Sequence, residues 1–221
     1  MEGKREMTGN IYAFSGLGAD ETVFEKLKFP GYAMTFIQWI QPLKNETMAA
    51  YASRLLVQIT TPEPVLIGLS FGGMIAIEVA RQIDTKQLIL IASAKTKSEI
   101  PFYYRWAGKI GLHLLLPASL LKQPGFFPNW LFGVENKEEK EILNVILRKT
   151  DPIFLRWALH QLVCWTNEHI PEKFVQIHGT RDRLLPYRFV DCTHTIPQGG
   201  HFMTLNKSEE LNMWLSAMLA K

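Results

Sequence analysis

The chain has 221 residues, of which 47% are hydrophobic and 20% charged, with a formal net charge of +3. These values fall in the ordinary range for globular proteins and predict a sizeable core. The 24 Lys and Arg are spread along the chain rather than gathered in blocks, which argues against a nucleic-acid partner.

The first residues, MEGKREMTGN, carry charge but no apolar h-region, so no secretory signal is expected. Residues 11–14 form the first predicted strand, and SGLGADETVFEKL after it reads as a loop leading into a short helix. A second strand is predicted over 34–39. Over 45–59, Met48, Tyr51, Ala52, Leu55, Leu56 and Ile59 fall on one helical face, which Pro62 and Pro64 bring to an end. A short, fully apolar strand over 65–69 suits the middle of a sheet. The helix that follows over 72–82 is apolar on nearly every side except at Glu78 and Arg81, as packing against a buried sheet requires. Further strands are predicted over 87–92, 173–178 and 192–196, before a closing amphipathic helix marked by Leu211, Trp214, Leu215 and Met218.

Strands alternating with helices are the pattern of βαβ units. The expected fold is α/β, with a mainly parallel six-stranded sheet flanked by helices. Residues 98–170 break the alternation, since they hold helical patterns and aromatics but no strand; within them, 138–149 has acids early and Arg148 and Lys149 late, as a helix dipole favours. This interval reads as a helical cap inserted into a core of residues 1–97 and 171–221. Its longest apolar stretch, 110–121, is interrupted by His113 and Pro117 and is too short to span a bilayer, so no stable membrane insertion is expected. Cys164 and Cys192 lie far apart without metal-ligand spacing and read as free thiols in a reducing, cytoplasmic setting.

Gly68-Leu69-Ser70-Phe71-Gly72 is a G-x-S-x-G pattern between a predicted strand and a predicted helix. The spacing makes a sharp turn that lifts the serine clear of the sheet edge. It also aims the Phe71 N–H, at the helix start, at the same space, where it can stabilise an oxyanion. A serine needs a base, and the chain offers six histidines. When acid and base follow the nucleophile on the last two strand ends, His194 and His201 remain. His194 falls inside the predicted sixth strand, whereas His201 lies in the glycine-rich loop QGGHF and can reach over Ser70. The loop after the fifth strand supplies Asp182 to orient that histidine; an ion pair with Arg181 or Arg183, or a turn-capping aspartate, is its bland alternative, and Asp191 the second choice of acid. SGLG after the first strand supplies a second oxyanion donor, the Leu17 N–H. Its glycines fit neither the P-loop nor the dinucleotide-binding spacing.

Together SGLG, GLSFGG, HGTRDRLLP and QGGHF resemble the α/β-hydrolase superfamily, especially its small capped serine esterases and thioesterases, over residues 11–219. The resemblance implies Ser70, Asp182 and His201 converging at the carboxyl edge of a parallel sheet beneath a cap. Three departures stand out. Ser15 occupies a position where the family usually has histidine, the antiparallel strands that often precede the first parallel strand are not expected here, and only 19 positions separate Asp182 from His201 (201 − 182), leaving little room for a crossover helix.

The expected activity is hydrolysis of a small or medium ester or thioester through an acyl-enzyme, with a small-molecule substrate, no cofactor, no metal, and a monomer or homodimer as the working form. Cap aromatics, with Phe102, Trp106, Trp130 and Trp157 foremost, are expected to line an apolar pocket, although aromatics at helical spacing more often pack a core. Lys95, Lys97, Arg105 and Lys109 either favour an anionic leaving group such as coenzyme A or form a solvated surface. Two other readings use the same scaffold: a non-catalytic ligand-binding protein, and a C–C hydrolase, lyase or perhydrolase working with the same triad.

Overall fold

The computed structural model of the chain describes residues 9–115 and 117–219. In chain order the elements are β1 (Gly9–Phe14), β2 (Tyr32–Phe36), α1 (Met48–Leu55), β3 (Val65–Leu69), α2 (Phe71–Ala80) and β4 (Gln87–Ile91). Five helices follow: α3 (Phe102–Lys109), α4 (Ala118–Leu121), α5 (Phe126–Phe132), α6 (Lys137–Lys149) and α7 (Pro152–Val163). The chain then returns to the sheet in β5 (Phe174–Gly179) and β6 (His194–Ile196) and closes with α8 (Met203–Asn206) and α9 (Ser208–Leu219). The sheet has the order β2-β1-β3-β4-β5-β6, and every described pairing is parallel.

The core follows from the two-residue period of the strands. Ile11, Ala13, Val65, Ile67, Ile89 and Ile91 face one side, where they meet Ile177, Ile196, Leu211 and Leu215. Tyr12, Phe14, Leu66, Leu88 and Leu90 face the other, against α1 and α2. The central strand β3, VLIGL, is buried along its whole length, which is why its sequence is a continuous apolar run rather than an alternation.

Polar side chains set the helix boundaries. The Thr47 hydroxyl accepts the Ala50 N–H and fixes the start of α1, three residues later than the apolar pattern predicts. Asn136 caps α6, with Glu138 and Glu139 in its first turn and Arg148 and Lys149 in its last. Asp151 caps α7, with Pro152 at its first position.

The second strand ends at Phe36 rather than at residue 39. The Ile37 N–H still reaches the Ala13 carbonyl, but the Gln38 N–H turns to the Gln58 side chain, which closes the ladder. Between Gly179 and His194 the chain makes only a short 3₁₀ turn, Tyr187–Phe189, in keeping with the short spacing there. Both cysteines are free, and no helix among the described residues is long and apolar enough to cross a membrane.

Candidate active site

One residue separates β3 from α2, and it is Ser70. Its φ of 55° and ψ of −124° are costly for a residue with a side chain, and the close packing of glycines around the turn makes room for them. A Cβ at Gly72 would stand 2.2 Å from the Ser15 carbonyl oxygen, and one at Gly68 would stand 2.4 Å from the Gly73 Cα. The backbone of Ser70 is tied on both sides: its N–H donates to the Ile91 carbonyl at 2.9 Å, and its carbonyl accepts the buried Ser93 hydroxyl at 2.7 Å.

His201 Nε2 lies 2.8 Å from Ser70 Oγ, and His201 Nδ1 lies 2.8 Å from Asp182 Oδ2. All three side chains are buried. An ionised carboxylate can only accept, so Nδ1 carries the proton, Nε2 accepts, and the Ser70 hydroxyl donates. The other Asp182 oxygen accepts the Leu184 and Leu185 N–H groups, each at 2.9 Å, which holds the carboxylate by its own loop. Among the described residues, Asp182 makes no ion pair with either flanking arginine: Arg183 donates to the Trp130 carbonyl at 2.6 Å and lies over the Trp130 ring. Asp191 has an exposed carboxylate 4.0 Å from Lys95 Nζ. His194 stacks on Trp214 with ring centroids 4.0 Å apart, fixed in the sheet as its position predicts.

Phe71 is the first residue of α2, so its N–H has no carbonyl one turn back to bond. Leu17 sits in a turn closed by the Ala19 N–H on the Gly16 carbonyl at 3.0 Å. A Cβ at the neighbouring Gly16 would be 3.8 Å from the Ser70 Cβ. Both expected oxyanion donors therefore belong to segments that border Ser70. Ser15 braces this loop: its Oγ donates to the Ala19 carbonyl at 2.6 Å and accepts the Trp39 indole N–H at 3.0 Å.

Ser70 and His201 open into a cavity of about 320 Å³ lined by Leu17, Phe71 and Tyr104, by Leu121, Leu131 and Phe132, and by Leu155, Leu159, Leu162 and Val163 of α7. Burial above all, with Tyr103 and Asp182 nearby, pushes the Tyr104 hydroxyl up to about 12, so Tyr104 enters the cavity neutral. The Phe132 ring meets the His201 ring edge-on at 5.5 Å. A larger depression of about 580 Å³, between Pro62 and Asp84, brings together no serine or histidine.

The expected pocket aromatics are corrected by this arrangement, since none of the four lines the cavity. Phe102, Trp106 and Trp130 are exposed, because α3 and α5 turn those side chains outward. Trp157 instead packs against Tyr51, with ring centroids 4.3 Å apart, and donates its indole N–H to the Glu46 carbonyl at 2.8 Å. Leucines of α4, α5 and α7 take the place expected for the aromatics.

Two residues that the sequence does not single out support the site. Ser93 braces the Ser70 carbonyl. His178, wholly buried in β5, donates from Nε2 to the Leu185 carbonyl at 2.8 Å and lies 3.5 Å from Asp182 Oδ2. Burial pushes the His178 pKa below the ordinary histidine value, against the opposing pull of Asp182. Among the described residues, no group of three His, Cys, Asp or Glu is arranged to hold a metal ion.

A family model described as the alpha/beta hydrolase family matches residues 29–213. No curated protein matches the chain. Among solved structures the chain is similar to an esterase from Exiguobacterium antarcticum (17% identity, TM-score 0.69, covering 98% of this chain and 93% of that one). It is also similar to a malate-bound thermophilic esterase from Thermogutta terrifontis (17% identity, TM-score 0.67, covering 97% and 90%). A third is the thioesterase RedJ of prodiginine biosynthesis from Streptomyces coelicolor (16% identity, TM-score 0.65, covering 96% and 90%).

Proposed function

The chain belongs to the alpha/beta hydrolase family, and we propose that it is a serine hydrolase cleaving a small or medium ester or thioester. The observation that carries this reading is the unbroken pair of 2.8 Å contacts from Ser70 through His201 to Asp182, at the wall of an apolar cavity. The likeness to esterases and a thioesterase supports it at the level of fold.

In this mechanism His201 Nε2 takes the Ser70 proton as Oγ attacks the substrate carbonyl carbon. The oxygen that gains charge is met by the Phe71 and Leu17 N–H groups. Asp182 holds the imidazole and stabilises the imidazolium. The proton then passes from His201 to the departing alcohol or thiol. A water deprotonated by His201 next attacks the acyl-enzyme, releasing the acid and restoring Ser70. We read the helices α3–α7 as a cap that keeps bulk water from this exchange. The cavity of about 320 Å³ stands at the small end of small-molecule sites, roughly 300–1,000 Å³, which suits an acyl group of modest size.

A fluorophosphonate probe with intact-mass detection, run beside p-nitrophenyl ester turnover, tests the assignment. One adduct is expected on the wild type and none on Ser70→Ala, with turnover by the variant lower by about 10⁴-fold or more. Comparable turnover by Ser70→Ala would overturn the assignment.

A further inference from the structure

The helix α3 is amphipathic the wrong way round for a helix that merely covers a core. Gly108 is its buried residue, set so close to α7 that a Cβ there would lie 2.7 Å from the Val163 carbonyl oxygen. Phe102, Trp106 and Ile110, spaced four apart on one stripe, are 64%, 60% and 55% exposed. Leu115 and Leu120 continue this outward apolar surface in sequence, and Phe126 of α5 is 84% exposed. Scattered exposed apolar residues need no explanation, but a run of large ones within a single segment marks an interaction site.

Charge identifies the partner. From residue 100 to 134 the sequence has no Asp or Glu, while Arg105, Lys109 and Lys122 lie among the apolar residues. Among the described residues Arg105 and Lys109 form no ion pair. Lys122 instead lines the cavity and adds to the influences, the Phe154 N–H first, that hold the Asp151 carboxyl low, so Arg105 and Lys109 are the cations that α3 itself offers. A second copy of the chain docking about a twofold axis would bring the same cations face to face. An anionic lipid surface meets both halves of the pattern, with apolar side chains entering the acyl boundary and Lys and Arg meeting the headgroups. At eight, four and seven residues, α3, α4 and α5 are too short to cross such a surface and could only lie on it.

We propose that the outer face of α3, α4 and α5 docks on an anionic lipid surface. Leu121, Lys122 and Leu131 belong to those same segments and line the cavity, so docking brings the route to Ser70 next to the acyl chains of the surface. The docking stands on the exposed face alone; the delivery of acyl esters from that surface rests on the hydrolase reading above.

Pelleting of the full chain with vesicles of phosphatidylcholine, with and without phosphatidylglycerol, tests the docking. Strong pelleting is expected with the anionic vesicles and little with phosphatidylcholine alone. A Trp106→Glu/Ile110→Glu variant, checked for wild-type circular dichroism and melting, should partition at least about tenfold more weakly. Lys109→Glu, at an exposed position, should weaken binding in the same direction if the double variant does not fold. Ser70→Ala should bind as the wild type does, so that loss of the hydrolase reading and loss of the docking are separate results. Equal pelleting on both vesicle types, pelleting that the variants do not change, or a dimer in sedimentation velocity that Trp106→Glu/Ile110→Glu abolishes would overturn the proposal.

Discussion

Trp39 donates its indole N–H to the Ser15 hydroxyl, 3.0 Å away, and that hydroxyl in turn donates to the Ala19 carbonyl. The bond ties the segment that follows β2 to the loop that carries Leu17, and so to one of the two proposed oxyanion donors. Ser15→Ala leaves two groups without their partner and frees that loop. Turnover of a p-nitrophenyl ester is expected to fall about tenfold in kcat with little change in KM. A kcat within about twofold of wild type would mean that the turn between Gly16 and Ala19 holds the donor unaided.

Gly72 is fixed by contact rather than by conformation. Its missing Cβ would meet backbone oxygens of both Phe14 and Ser15, at 2.3 and 2.2 Å, and neither can yield without moving β1. Gly72→Ala is expected to destabilise the protein by roughly 3 kcal/mol, read as a lower denaturation midpoint or a loss of soluble yield. Gly125→Ala is the matched control, because nothing lies within 4 Å of the added atom; it should melt like the wild type.

The buried His178 predicts a pH dependence of stability. Its pKa in the folded protein is depressed below the reference 6.5, first by burial, so the folded state keeps the ring neutral. The unfolded chain takes up the proton at higher pH than the folded one. The stability from this residue is therefore complete above about pH 6.5 and is lost as pH falls through the folded-state pKa. Melting temperature should fall below that pH in the wild type and fall less steeply in His178→Gln. The His113 pKa is also lowered, by burial and then by His160, and adds the same slope to both proteins, so the difference between them isolates His178. Parallel curves would remove His178 from the explanation.

The leucines of α7 should set acyl preference, whereas the outward aromatics should not. Leu159→Trp fills part of a cavity of about 320 Å³ and is expected to reduce kcat/KM for a longer p-nitrophenyl ester roughly tenfold relative to the acetate. Trp130→Ala should leave that ratio unchanged. A shift with Trp130 and none with Leu159 would relocate the pocket.

What the sequence reveals follows from how local each constraint is. The turn around Ser70 needs small residues at fixed offsets, so it can be read within GLSFGG, and Asp182 and His201 stand in the loops that follow the last two strands, FVQIHG and HTI. Those three side chains meet in the structure. The outward turn of α3 is not legible in this way. Spacing places Phe102 and Trp106 on one face but does not say which way the face looks, and that depends on Gly108 packing against α7. The supports from Ser93, His178 and Trp39 join residues far apart in the chain through sheet register, so no local pattern announces them. Helix and strand ends moved for a similar reason, since side chains such as Thr47 and Gln58 decide them by single hydrogen bonds.

The order of the strands also has a consequence for the chain as it emerges from the ribosome. In the finished sheet β4 lies between β3 and β5, but helices α3–α7 are all synthesised before β5 exists. Until then Leu88, Ile89, Leu90 and Ile91, all fully buried in the folded protein, form an open apolar edge able to pair with another nascent chain. High-level expression should thus meet its aggregation hazard at that edge, during translation, and slower elongation through α3–α7 would prolong it.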